Sequence, residues 1–207
     1  MKFYRVALGI GLFAAMIGTA SAASTLDLNL DDNSARIAFN TPITPTGLYA
    51  NAAFLYNQDR GDVFNAGVHL IGDAGVGPNP LHAGLGGQFY YINPDSGKPC
   101  GNLCLISGGR PGPFARASSG EAIAIGGFVQ YQLPRYNRIG FGAHIYYAPG
   151  IISFGGLDRM LEYGVRADYQ VLRNANVYIG YRQIKADFGP GFADMDSGFH
   201  IGMQLNF

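Results

Sequence analysis

The sequence predicts an antiparallel β-barrel of the transmembrane type, and three observations predict it. The last nine residues alternate strictly, with Phe199, Ile201, Met203, Leu205 and Phe207 on one face of a strand and polar or small residues on the other. An aromatic residue that ends such a strand is typical of outer-membrane barrels. The N-terminus has the pattern of a secretory signal peptide. After it, no apolar run approaches the about 20 residues that a membrane-spanning helix needs.

The signal peptide is predicted from its charged, apolar and small-residue regions. Lys2 and Arg5 precede the apolar segment 6–17, and Ala20-Ser21-Ala22 follows as a cleavage site. Residues 1–22 are therefore expected to be removed, which leaves 23–207 as one barrel domain. Cleavage after Ser21-Ala22-Ala23 is the alternative and would move the boundary by one residue.

The composition fits a barrel in a membrane better than a soluble domain. Only 14% of residues are charged, with a formal net charge of zero, whereas soluble domains carry about 25% charged residues. The chain has 31 glycines, 13 tyrosines and 14 phenylalanines. Glycine suits crowded interior positions and aromatic residues suit the two membrane interfaces. The zero net charge gives no electrostatic reason to expect a nucleic-acid partner.

Alternation along the chain predicts ten strands joined in an up-and-down barrel. They cover 25–30, 35–40, 47–57, 63–72, 81–93, 121–133, 138–147, 159–172, 176–182 and 199–207. The long connections 94–120, 148–158 and 189–195 then fall at one end, which we expect to be extracellular. Tight turns at Pro134 and Asn174 fall at the other. An eight-stranded barrel with 25–40 as an N-terminal appendage is the alternative.

Several short motifs in the mature chain resemble those of one family of bacterial outer-membrane proteins. They are Leu26-Asp27-Leu28-Asn29-Leu30, Gly84-Leu85-Gly86-Gly87, Gly126-Gly127-Phe128, His144-Ile145-Tyr146-Tyr147-Ala148-Pro149, Glu162-Tyr163-Gly164, Gly180-Tyr181-Arg182 and Lys185-Ala186-Asp187-Phe188. In this order they are similar to the YfaZ family. The resemblance implies an outer-membrane β-barrel, but the family has no settled activity to carry over to this chain.

The alternation also predicts which polar side chains line the lumen. They are Asp27, Arg36, His69, His82, Arg138, His144, Glu162, Arg166, Asp168, Arg182 and His200. Such charges could line an aqueous pore, or they could pair with each other and seal a narrow lumen. Near-balanced signs favour sealing and the many inward glycines favour a pore, so the sequence leaves both open. The four histidines lie on separate strands without local pairing, so no metal site is expected.

Two further features concern the loops. Cys100 and Cys104 lie in the longest loop, 94–120, and an isolated pair in an oxidising compartment predicts a disulfide. Carboxylates that the alternation places at the extracellular rim could serve an outer-membrane enzyme. However, no rim loop contains a histidine, and His200 lies a few residues down the last strand from Asp196 and Ser197. A solvated rim, or contact with lipopolysaccharide through divalent cations, is the preferred interpretation.

The sequence therefore predicts a monomeric barrel in the outer membrane of a Gram-negative bacterium. The first functional hypothesis is a narrow pore for ions or small polar solutes. The alternative is a sealed structural or adhesive surface barrel that acts through its loops. Neither enzymatic activity nor a cofactor is expected. The expected partners are membrane lipid, lipopolysaccharide and the barrel-assembly machinery, which would recognise the C-terminal strand.

Overall fold

The computed structural model of the 207-residue chain describes residues 24–75, 81–94, 119–134, 136–189 and 192–207. The predicted signal peptide 1–22 lies outside these ranges, as do Cys100 and Cys104. The structure consequently gives the predicted disulfide no support, and it stays a prediction.

The described chain is almost entirely β-strand. The strands are β1 Thr25–Leu30, β2 Ser34–Pro42, β3 Leu48–Asn57, β4 Gly61–Asp73, β5 Leu81–Pro94, β6 Gly120–Leu133, β7 Tyr136–Ala148, β8 Ser153–Phe154, β9 Arg159–Leu172, β10 Ala175–Asp187 and β11 Phe192–Asn206. A 3-10 turn, Gly150–Ile152, precedes β8. Among the described residues, no helix is long and apolar enough to cross a membrane.

The sheet closes on itself as a ten-stranded antiparallel barrel. Its order is β5-β4-β3-β2-β1-β11-β10-β9-β7-β6, and pairing between β5 and β6 closes the ring. The two-residue β8 pairs only with β6 and lies outside the wall. The first hairpin is part of the wall, because β1 pairs with β11 and β2 pairs with β3. The ten-strand prediction is confirmed, and the appended-hairpin alternative is wrong.

The last two strands are longer than the alternation predicts. β10 continues to Asp187 and β11 begins at Phe192, so most of the predicted loop 189–195 is strand. The reason is a shift of register between Ile184 and Lys185, a β-bulge that places an extra residue in β11. Met195 and Asp196 are consequently both buried, although they are neighbours in sequence. A bulge breaks the period of two, so the sequence pattern fails at this point.

The outer face of the wall is apolar. Leu85, Ile125 and Phe199 are 74%, 67% and 73% exposed, and many other large apolar side chains project outward beside them. A soluble barrel would bury these side chains and present charged residues instead. An outward apolar band around a closed sheet is the arrangement that a lipid environment requires.

The two ends of the barrel differ, and we name them by their connections. The long-loop end carries the connections that follow β1, β3, β5, β7, β8 and β10, and the short-turn end carries those that follow β2, β4, β6 and β9. Both ends of the described chain also lie at the short-turn end, where the Phe207 amide donates to the Ser24 carbonyl at 2.9 Å. At this end Gly47 has a φ of 91°, and the Ile71 amide donates to its carbonyl at 2.8 Å. Only glycine fits this position without strain.

Interior glycines accommodate large polar side chains from neighbouring strands. A Cβ on Gly164 would lie 2.6 Å from Cε1 of His144, and one on Gly180 would lie 2.7 Å from Nε2 of His200. The Tyr178 ring covers Gly202 even more closely. The inward glycines therefore provide space that neighbouring rings occupy, and they do not by themselves open a pore.

Candidate functional site

The lumen is divided along the barrel axis into an apolar part and a polar part. Near the long-loop end, side chains from nearly all the longer strands meet in a packed cluster that we call the apolar layer. It consists of Leu55, Val63, Tyr90, Ile92, Ala122, Ala124, Tyr146, Ala148, Leu157, Met160, Ile184, Ala186 and Met195, with Phe188 packed against it. Several members, including Ile92 and Met160, are 0% exposed. At this end the layer lies beside two buried polar side chains, Asn57 and Asp196.

A polar cavity of about 400 Å³ occupies the other part of the lumen. It extends from the middle of the barrel to the short-turn end, where Thr25, His82 and Gln130 are among its lining residues. Its volume is in the range of sites that hold small molecules, about 300–1,000 Å³. The cavity therefore forms a vestibule that ends at the apolar layer.

One polar network in the cavity centres on Asp27. The Tyr178 hydroxyl donates to Asp27 Oδ1 at 2.5 Å, and Asn29 Nδ2 donates to the same oxygen at 3.2 Å. Arg166 Nη1 binds Asp27 Oδ2 at 3.4 Å and Arg166 Nε lies 3.2 Å from Asp168 Oδ1. The Arg166 guanidinium also lies 5.2 Å from the centre of the Tyr178 ring. Two carboxylates thus share one arginine.

A second network of hydrogen bonds inside the barrel centres on Arg182 and Asp196. Arg182 Nε donates to Asp196 Oδ2 at 2.7 Å, and Arg182 Nη1 donates to Asn29 Oδ1 at 3.0 Å. Asn57 Nδ2 donates to the other Asp196 oxygen at 3.1 Å, so β3, β10 and β11 are joined inside the wall. In the adjacent β1–β2 turn, outside the strands, burial raises the pKa of Asp31, and the charge of Asp196 adds to this rise.

A third group lies where the cavity meets the apolar layer. Glu162 is 2% exposed; its Oε2 accepts from the Tyr90 hydroxyl at 2.8 Å, and its Oε1 lies 3.3 Å from His144 Nε2. Next to it, the Tyr146 hydroxyl lies 2.9 Å from His69 Nε2. Because Tyr90 and Tyr146 belong to the layer, these contacts join the polar cavity to its closed end.

The structure places most of the residues predicted for the lumen at the cavity wall. Those at the wall are Asp27, Arg36, His69, His82, His144, Glu162, Arg166, Arg182 and His200. Asp168 contacts Arg166 beside the cavity. Arg138 does not line it and is exposed near the short-turn end. Among the described residues, no three His, Cys, Asp or Glu side chains are grouped so that they could hold a metal ion.

The apolar layer is the feature that the sequence interpretation missed. The alternation places Tyr90 and Ile92 on the same face as Gln88, and Ile184 and Ala186 on the same face as Arg182. Those inward positions become apolar toward the long loops. The change from polar to apolar on one face was the available signal, and it indicates a lumen that is polar over only part of its length.

The wall and the lumen together show which class of β-barrel this protein belongs to. A closed antiparallel barrel with an apolar outer face and a polar cavity inside is a barrel of the transmembrane type. Residues 1–111 and 113–207 match the model of a family described as "YfaZ precursor". The chain belongs to the YfaZ family, and the resemblance seen in its motifs is confirmed. The word "precursor" fits a signal peptide at the N-terminus.

Two solved structures show a distant likeness to this chain. A structure described as "KdgM porin in complex with disordered oligogalacturonate" shares 9% identity at a TM-score of 0.43, covering 89% of this chain and 99% of that one. A second structure is described as "Unveiling the Mechanism Behind the in-meso Crystallization of Membrane Proteins". It shares 14% sequence identity with this chain at a TM-score of 0.39, and the match covers 89% of this chain and 83% of that one. No curated protein matches.

Proposed function

We propose that this protein is a narrow outer-membrane channel for small polar solutes, closed at its long-loop end in the conformation described. The polar cavity carries the proposal, because a lumen built only to stabilise a barrel has no need of an accessible space of about 400 Å³. We place the protein as a monomer in the outer membrane of a Gram-negative bacterium. There the barrel-assembly machinery would recognise β11, and the rim would contact lipopolysaccharide. We propose no catalytic role.

The apolar layer favours a second candidate function. Its packed apolar side chains narrow the described lumen near the long-loop end, and a hydrophobic constriction blocks ions by excluding water. If the layer never opens, the barrel is a sealed structural or adhesive surface protein that acts through its loops. The predicted disulfide between Cys100 and Cys104 would then stiffen the longest of them.

Conductance of the refolded mature chain in a planar bilayer distinguishes these functions. We expect few openings from the wild type and reproducible steps from a variant with a thinned layer, Ile92→Ala, Met160→Ala and Ile184→Ala, whose three side chains are 0%, 0% and 1% exposed. The matched control replaces three outward isoleucines, Ile125, Ile179 and Ile201, which are 67%, 57% and 66% exposed.

The channel proposal requires that the thinned layer conducts and the control behaves like the wild type. Folding of each variant is checked first by its heat-modifiable migration on SDS gels. Silence from a folded variant with a thinned layer contradicts the channel and supports the sealed barrel. Equal conductance from the control would show that the steps come from a damaged wall.

A further inference from the structure

Among the described residues, three arginines line the polar cavity and two of them have carboxylate partners there. Arg182 lies 2.6 Å from Asp196, and Arg166 binds both Asp27 and Asp168. Within the part of the chain that the structure describes, Arg36 has no carboxylate within 4.0 Å and no hydrogen-bond acceptor. Its guanidinium therefore presents unused donors to the cavity that it lines.

The nearby carboxylates are already bound by other groups. Glu162 and Asp27 act on the charge of Arg36 through space, but Glu162 accepts from Tyr90 and contacts His144. Asp27 accepts from Tyr178, Asn29 and Arg166. Because Arg36 is only partly buried and lines the cavity, water can reach its donors. A carboxylate brought by a ligand would replace that water with charge-assisted hydrogen bonds.

The cavity around Arg36 suits a small, well-hydrated molecule. Asn40, Asn51, Gln88 and Gln204 add amide groups to the lining, and amides can donate to and accept from hydroxyl groups. Asn51 Oδ1 has no hydrogen-bond partner in the described part of the chain. The site thus combines an arginine that has no carboxylate partner among the described residues with neutral polar groups.

The charges in and around the cavity restrict how many negative charges a ligand of Arg36 can carry. Asp27 and Glu162 line the cavity with Arg36, Arg166 and Arg182, while Asp168 and Asp196 pair with Arg166 and Arg182 beside it. These four carboxylates outnumber the three guanidinium groups by one, so the attraction for an anion is local to Arg36, and a dianion would be repelled more strongly than a monoanion. A planar carboxylate also matches the paired donors of a guanidinium.

We propose that Arg36 binds the carboxylate of a small, polar, hydroxyl-bearing monocarboxylate, which enters from the short-turn end. The inference rests on the proposed channel function and names the class of solute that the channel would hold. Binding itself requires only the cavity and not an opening of the apolar layer, so it can be tested separately from conduction.

Isothermal titration calorimetry on the full mature barrel in detergent micelles tests the proposal. The probes are glucuronate, its neutral counterpart glucose, and inorganic phosphate. We expect glucuronate to bind more tightly than the other two. Arg36→Gln should weaken glucuronate binding by roughly 10- to 100-fold, since hydrogen bonds to charged groups are stronger than neutral ones. Arg173→Gln, an exposed arginine at the short-turn end, is the matched control and should bind as the wild type does.

Several results would overturn the assignment. They are absence of glucuronate binding to the wild type, equal binding of glucose, preference for phosphate, and unchanged binding by Arg36→Gln. If Arg36→Gln does not fold, Arg36→Lys keeps the charge but loses the paired donors, and it should weaken glucuronate binding by a smaller factor. Unweakened binding by Arg36→Lys would also contradict the proposal. The variant with a thinned layer could fail to conduct in planar bilayers while glucuronate binding still depends on Arg36. That pair of results would reject the channel function and keep the binding site.

Discussion

Arg182 and Asp196 are each 2% exposed and lie 2.6 Å apart inside the barrel, which makes the pair sensitive to the loss of either partner. We expect Arg182→Met to destabilise the fold by about 3–5 kcal/mol, because it leaves a buried carboxylate without its counter-charge. Arg182→Met combined with Asp196→Leu should recover much of this loss. Urea unfolding of the refolded barrel, followed by tyrosine fluorescence, measures both effects.

The control for this pair is Arg173→Met, which removes an exposed arginine at the short-turn end and should change stability little. Equal unfolding midpoints for Arg182→Met and Arg173→Met would mean that the buried pair does not hold the wall together. In that case Asn57 and Asn29, its other partners, would be sufficient to join the strands.

Gly202 lies directly under the Tyr178 ring. A methyl group on Gly202 would overlap the Tyr178 ring, whose hydroxyl binds Asp27. Gly202→Ala should therefore cost about 1–3 kcal/mol through overpacking. At Gly72 a Cβ would have nothing within 4 Å, so Gly72→Ala is the matched control and should be tolerated. The difference between their urea midpoints is the measurement, and a midpoint for Gly202→Ala at or above the control would contradict the packing argument.

At the scale of the strand, β11 shows what sequence patterns can and cannot predict. Its outward residues from Phe199 onward follow from simple alternation, because one face meets an apolar environment at every second residue. The bulge opposite Ile184 and Lys185 does not follow, since nothing in the local pattern marks an extra residue. The hydrogen bonds of the lumen join residues as distant as Asp27 and Tyr178, so they depend on closure of the whole barrel.

The outward face of β11 gives a prediction about the membrane. Ile201 is 66% exposed near the middle of the strand, opposite Leu30 and Ile179. Ile201→Lys should reduce insertion into lipid vesicles, because a lysine facing lipid costs about 2–4 kcal/mol at mid-depth and close to none at the interface. Leu205→Lys, on the same face at the end of the strand, is the control. The folded fraction on SDS gels without heating measures insertion.

The quantity to compare is the loss of folded fraction for Ile201→Lys, at mid-depth in the wall, against the loss for Leu205→Lys, at the end of the strand. A large loss for Ile201→Lys with a small loss for Leu205→Lys would support a membrane around the wall. Equal folded fractions in vesicles and in detergent for Ile201→Lys would contradict a lipid-facing role for this surface.

At the scale of the whole molecule, the barrel is asymmetric along its axis. The short-turn end has tight turns, both ends of the described chain and the mouth of the polar cavity, whereas the long-loop end has the apolar layer. A periplasmic short-turn end would open the cavity to the periplasm and would place the layer beneath the cell surface. The direction from which a solute reaches Arg36 depends on this orientation.

Single-cysteine labelling on intact cells determines the orientation. In a chain with Cys100→Ser and Cys104→Ser, one variant carries Asp59→Cys in the turn between β3 and β4, and the other carries Thr46→Cys in the turn between β2 and β3. Both positions are exposed. A maleimide too large to cross the outer membrane should label Asp59→Cys on whole cells and Thr46→Cys only after lysis, because both ends of such barrels lie in the periplasm. Labelling of Thr46→Cys on intact cells would reverse the orientation, and the cavity would then receive its ligand from outside the cell.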